Sequence, residues 1–315
     1  MSEKEFSLTS PDGTEVHAYR WSPSSQSKIR GVLQIVHGNG EHAGWYRDMA
    51  NHFNKAGYIV YANDLRGHGK TGTGKPGDLR PSKGGCESVL SDIKLLKDRI
   101  RDETRFPIFL LGYSWGYYLA LRYAQEWGNT IHGLALTGVV RHHPALRYFL
   151  KMGIPLLARK IEKNDYHIPY GPVEKSFKKY ETSIPDRKTE FDWLTRDEAE
   201  IREYQSDPLC QQLNVSCGFS LECAELMVQM LTPANYLKTP LDLPCYIFSG
   251  GADVVGGANA VTKLSKDFTK QGMRNVESKV YPDARHSLFH ETNRKDIIED
   301  LISWMDRQLK GQEKL

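Results

Sequence analysis

Two rhythms of apolar residues alternate along this chain. Short strand-like runs, dominated by Val, Ile, Leu, Tyr and Phe, recur at 31–36, 58–62, 107–111, 131–137, 245–248 and 276–281. Runs of this length with little polar interruption read as strands buried on both faces. Longer stretches with apolar residues three and four apart lie between most of them, at 46–56, 87–101, 115–127 and 258–271, and again at 297–309. That spacing predicts helices with one face on a core. At the start, segments 5–10 and 15–21 flank Pro11-Asp12-Gly13, a turn signal, so the chain opens with a β-hairpin. Strand–helix alternation of this kind predicts an α/β fold: a mostly parallel, eight-stranded sheet with helices on both faces.

The alternation breaks between residues 140 and 236. This stretch is helical and mixed in polarity, with turn signals at Ile168-Pro169-Tyr170-Gly171-Pro172 and Ile184-Pro185-Asp186. It reads as a helical cap inserted between two strands. The expected organisation is therefore core (1–139), cap or lid (140–236) and core again (237–315). Leu146, Phe149, Leu150, Ile154, Leu156 and Leu157 line up as an apolar face. The spacing favours the underside of a helix packed on the core. The alternative is a lid surface facing lipid or an acyl chain.

The chemistry starts at Phe109-Leu110-Leu111-Gly112-Tyr113-Ser114-Trp115-Gly116. A strand ends in Gly-x-Ser-x-Gly and a helix follows, which is a nucleophile elbow with Ser114 at its apex. The turn forces the serine backbone into strain, lifts its oxygen clear of the sheet and aims the first helical amides at negative charge on a substrate. Such a serine needs an acid and then a histidine further along the chain. Asp253 follows the apolar run 245–248, and His286 sits in the loop after 276–281. Asp283 is a rival acid, but it lies on the histidine's own loop. His37, His42, His68, His142 and His143 fall in or beside other loops and read as structural or solvated. The glycine-rich loop His37-Gly38-Asn39-Gly40-Glu41-His42 follows the strand at 31–36 and suits an oxyanion hole, with amides from Asn39 and Trp115. Asp64 and Arg66 read as fixing their loop, and Glu41 and His42 as positioning groups. Cys86 lacks a histidine nearby to activate it as a second nucleophile.

Taken together, these motifs resemble the monoacylglycerol lipase and bacterial lysophospholipase branch of the α/β-hydrolases, the serine aminopeptidase S33 type. The loop 37–42 is similar to that branch's H-G-x-G-E-H, and Asp64-Leu65-Arg66-Gly67-His68-Gly69 to its D-x-R-G-H-G turn. The cap segments Trp193-Leu194-Thr195-Arg196-Asp197 and Tyr204-Gln205-Ser206-Asp207-Pro208-Leu209 also resemble it. The resemblance implies a cofactor-independent hydrolase of monoacylglycerols or lysophospholipids, with a cap that makes transient contact with a membrane surface or micelle. The chain departs from the branch around the acyl pocket. Tyr113 and Trp115 flank Ser114, Tyr117 and Tyr118 follow, Leu65 replaces a polar residue, and Val139-Val140-Arg141-His142-His143 stands in a usually small loop. Leu79-Arg80-Pro81-Ser82 is also unlike the branch. Tyr113, Tyr117, Val140 and Leu150 are the expected substrate-binding residues, in a pocket either remodelled or changed by neutral drift.

Composition narrows the classes. Forty-two basic and 39 acidic residues leave a net charge of +3, dispersed along the chain, which does not suit nucleic acid. The N-terminus is polar, without a signal-peptide core, and no apolar run approaches a membrane span. Five cysteines without zinc-like spacing imply reduced thiols in a cytoplasm and no metal. From the residues alone the substrate is an ester with an apolar acyl part. A short-chain or aromatic esterase, an amidase or peptidase, and a non-catalytic ligand binder on the same fold remain open, because pocket shape decides between them.

Overall fold

The computed structural model describes residues 1–24, 28–72, 79, 84–140, 145–161, 169–210 and 216–312. Arg80, Pro81, Ser82, Arg141, His142, His143 and Ile168 lie outside the described residues.

Eight strands form one sheet: β1 (Ser2–Thr9), β2 (Glu15–Ser22), β3 (Gly31–Val36), β4 (Tyr58–Asn63), β5 (Ile108–Tyr113), β6 (Gly133–Thr137), β7 (Cys245–Gly250) and β8 (Val276–Tyr281). Their spatial order is β1-β2-β4-β3-β5-β6-β7-β8. The opening hairpin and the β2–β4 pair are antiparallel, and every other pair is parallel. Strands β3 to β7 are buried along their whole length, which explains their unbroken apolar runs. The β8 edge carries Glu277 and Lys279 toward solvent, where charge discourages pairing with another chain.

Helices α1 (Arg47–Lys55), α2 (Gly85–Glu103), α3 (Trp115–Trp127), α9 (Gly257–Lys270) and α10 (Arg294–Gln312) cover the sheet. Side chains alternate along each strand, so the two faces build separate cores. Val32, Val36, Leu110 and Leu134 pack with α2, α3 and α9. Leu33, Ile35, Phe109 and Leu111 point the other way, to Phe53 of α1 and to Leu301 and Trp304 of α10.

Between β6 and β7 lie α4 (Leu146–Ile161), α5 (Gly171–Thr182), α6 (Glu198–Ser206), α7 (Cys217–Met230) and α8 (Pro233–Tyr236). A third, smaller core sits in this stretch, around Ile184, Phe191, Trp193, Leu194, Ile201, Tyr204 and Cys210. Helix α4 packs against α7. Its apolar face is divided, which corrects the expectation of a packed underside. Leu157 is buried and Leu146, Leu150 and Ile154 are half-buried, whereas Phe149 and Leu156 are each 67% exposed. The inward residues follow a helical i, i+4, i+8, i+11 stripe, and the outward ones lie off it.

Candidate active site

Strand β5 runs directly into α3, with Ser114 between them at φ 54° and ψ −113°. A non-glycine residue with this backbone is strained, and it persists only where its surroundings fix it. Here the Ser114 amide donates to the Thr137 carbonyl (3.0 Å) and its carbonyl accepts from the Tyr117 amide (3.0 Å). The flanking glycines are required for close approach. A Cβ on Gly116 would collide with the Val36 carbonyl of β3, and one on Gly112 would lie 2.5 Å from Ala120 Cβ.

The carboxyl ends of the parallel strands bring three predicted residues together. Ser114 Oγ is 2.9 Å from His286 Nε2, and His286 Nδ1 is 2.9 Å from Asp253 Oδ2. An ionised carboxylate only accepts, so Nδ1 carries the proton and Nε2 is free to accept from the serine hydroxyl. Asp253 is buried, which alone would raise its pKa. The charge and hydrogen bond of His286, the Val255 amide and the Ser249 hydroxyl outweigh that and hold the carboxyl below its usual range. Asp283, the rival acid, is exposed.

The loop after β3 is held from several sides. Glu41 Oε1 accepts from the Gly38 amide and from the Tyr46 hydroxyl, both at 2.7 Å. His37 Nε2 accepts from the Leu65 amide (2.9 Å), and its Nδ1 donates to the Gly38 carbonyl. Burial depresses the His37 pKa well below that of a free imidazole, so it is a neutral brace. His68 stacks on the Trp115 ring at 5.1 Å, bonds Asn39 through its side chain and is pushed by burial to about 4. Asn39 and Trp115 therefore both contact one imidazole, Asn39 at its edge and Trp115 on its face. Trp115 opens α3, where the first amides have no intrahelical acceptor.

The expected substrate-binding residues are scattered. Tyr113 lies against the His286 ring, 5.2 Å between centroids, and its hydroxyl bonds Ser287 Oγ at 2.6 Å. Tyr117 is buried in the core with its ring 4.8 Å from Tyr118. Val140 is half-buried against the α2–α3–α9 core, and Leu150 is half-buried on α4. Arg66 and Asp64 do fix loops, but with other partners. Arg66 bonds Asp92 and Asp12, while Asp64 accepts from the Ala43 and Lys70 amides. Cys86 is buried, which raises its thiol pKa well above the ordinary value.

Sequence reasoning missed the groups that hold the base. Trp193 packs on His286 with ring centroids 5.3 Å apart. The carbonyls of Trp193 and Leu194 accept from the amides of His286 (3.4 Å) and Ser287 (2.7 Å). Ser249, four residues before Asp253 at the end of β7, is the one such group that its position could have revealed.

Such an arrangement can deprotonate a serine hydroxyl at the N-terminus of a helix, a requirement for acyl transfer. The chain is similar to several known proteins. It is 26% identical over 309 residues to a monoacylglycerol lipase of Mycolicibacterium smegmatis, covering 96% of this chain and 97% of that one. It is 27% identical over 297 residues to the monoglyceride lipase of Homo sapiens, covering 91% and 88%. Among solved structures, a thermostable carboxyl esterase from Bacillus coagulans superposes with a TM-score of 0.85 at 27% identity, covering 98% of this chain and 99% of that one. The sequence profile of the serine aminopeptidase S33 hydrolases matches residues 27–293. With that profile spanning most of the chain and the sheet order above, the protein belongs to the serine aminopeptidase S33 family of α/β-hydrolases.

Proposed function

We propose that this serine ester hydrolase acts on lipid monoesters, monoacylglycerols or lysophospholipids, through an acyl-enzyme on Ser114. The hydrogen-bonded series Ser114–His286–Asp253 at a strained apex carries the reading. Ser114 Oγ attacks the ester carbonyl carbon and its proton passes to His286 Nε2. Asp253 stabilises the imidazolium. The carbonyl oxygen becomes an oxyanion held by the amides of Asn39 and Trp115. Collapse breaks the C–O bond, and His286 returns the proton to the leaving alcohol. Water, deprotonated by the same imidazole, then releases the fatty acid.

The apolar outer side of α4 supports the lipid part of the reading. Tyr148, Phe149, Met152 and Leu156 are 60 to 74% exposed, beside Arg147 and Lys151. An apolar strip with basic neighbours suits transient docking on a lipid surface. The stretch 140–236 would then act as a cap that meets the lipid and passes it to the serine. Among the described residues no helix is long and apolar enough to cross a membrane. Five free thiols suit a reducing cytoplasm.

Hydrolysis of a p-nitrophenyl ester series from acetyl to palmitoyl, with the matching anilides as amide controls, tests the proposal. Activity should peak at medium or long chains, exceed anilide cleavage and vanish in Ser114→Ala. Activity confined to acetyl and butyryl esters would overturn the lipid substrate. Failure of a fluorophosphonate to label Ser114 would overturn the serine chemistry.

A further inference from the structure

We propose that His42, Asp207 and Cys210 form a binding site for a divalent transition-metal ion, Zn2+ by its donor chemistry. The site would join the loop after β3 to the segment after α6. An imidazole nitrogen of His42, a carboxylate oxygen of Asp207 and the Cys210 sulfur all lie within 4.8 Å of one another. Tetrahedral zinc needs N, O and S donors at about 2.0 to 2.3 Å from the ion, so the three ligands stand roughly 3.3 to 3.7 Å apart. Side-chain rotations that move the ligand atoms by about 1 Å span that difference.

Local structure builds the site before any ion arrives. Asp207 terminates α6, and its Oδ1 accepts from the Leu209 amide at 2.8 Å, leaving Oδ2 for His42. The Cys210 amide donates to the Asp207 carbonyl at 3.1 Å. This turn places a carboxylate and a thiol three residues apart, both facing the core loop. His42 is fixed from its own side, because the adjacent Ala43 amide donates to Asp64 at 2.8 Å and the His42 carbonyl accepts from Trp45 at 3.1 Å.

Charge and donor type select the ion. A thiolate and a carboxylate neutralise a dication, so the loaded site carries no net charge in a buried place. Nitrogen and sulfur donors disfavour Mg2+ and Ca2+, which take oxygen ligands. Cys210 is 2% exposed, and its thiol must give up its proton to ligate the metal. Binding forms the metal–sulfur bond and releases that one proton to solvent. The His42 proton, which faces Asp207 on Nε2 in the metal-free protein, moves to Nδ1 when Nε2 binds the metal. Three protein ligands leave a fourth position for water, and the 26% exposure of the Asp207 side chain gives access to it.

The test is titration of the whole chain with Co2+ and then Zn2+, under a non-chelating reductant. One Co2+ per chain should bind with a thiolate-to-cobalt absorption band, and Zn2+ should displace it. Cys210→Ser should lose the band, and Asp207→Asn should bind at least about tenfold more weakly. Fluorophosphonate labelling of Ser114 reports that each variant is folded, with Cys210→Ala as the substitute if the serine variant fails to label. No band in the unaltered chain overturns the proposal. So does a band unchanged in the Cys210 variant, which assigns the ion to another thiol, or affinity unchanged in Asp207→Asn.

Discussion

At Ser114 and its neighbours the residue choice follows from local backbone chemistry. The strained serine, the flanking glycines and the loop 37–42 each use short-range geometry that the sequence displays directly. That is why Ser114, Asp253 and His286 could be picked out before any coordinates. Arg66 shows the opposite case. Its partners Asp92 and Asp12 lie 26 and 54 residues away, so only the folded chain reveals them. The buried neutral histidines carry a consequence for acid stability. His68 is depressed to about 4, below the roughly 6.5 of a free imidazole. Between those values the unfolded chain binds a proton that the folded chain refuses. The stabilisation is complete above about pH 6.5 and disappears as pH falls toward 4, a contribution of about 3 kcal/mol. His37 acts in the same sense, whereas Glu41 and Asp64, raised by burial, act against it. Comparing the parent with His68→Gln isolates the imidazole: urea unfolding at pH 7 and pH 4.5 should show a shallower loss in the variant. Equal losses would mean that His68 titrates normally.

At the scale of elements, the strands and sheet-covering helices were legible because burial on two faces leaves little room for polar residues. Helix α4 was legible as a helix, but its orientation was not. Tyr148, Phe149, Met152 and Leu156 are as apolar as Leu146, Leu150, Ile154 and Leu157, so hydropathy cannot tell which stripe meets α7. Packing takes the second stripe and leaves the first to solvent. Transferring a leucine or phenylalanine side chain from water to an apolar phase is worth about 1.5 to 3 kcal/mol. The double substitution Phe149→Asp with Leu156→Asp should therefore weaken binding to sedimented phosphatidylcholine vesicles by roughly tenfold or more. Hydrolysis of a water-soluble ester should stay near the parent rate, because neither side chain takes part in packing. Undiminished vesicle binding would remove α4 from the docking surface.

Across the whole molecule, the segment 192–197 is stapled to the loop that carries the base. Glu291 is fully buried and accepts from the amides of Arg285 (2.8 Å) and Arg196 (3.2 Å) and from the Arg196 guanidinium (2.9 Å). Arg285 reaches back to the carbonyls of Asp192 (2.6 Å) and Thr195 (3.1 Å), and Arg294 pairs with Asp197 (2.9 Å). None of this showed in the sequence, because residues about 95 apart meet only when the sheet is complete. Glu291→Gln leaves Arg196 without its carboxylate. It should cost about 2 kcal/mol or more in urea unfolding. It should also lower kcat for ester hydrolysis while Ser114 still labels with a fluorophosphonate, because Trp193 loses its hold on His286. The same staple bears on modularity. Swapping residues 140–236 for the equivalent insert of a relative also exchanges Trp193 and Leu194, which support the histidine. An exchange that keeps the 191–197 stretch with its original host preserves the contacts of Trp193 and Leu194 with the histidine loop.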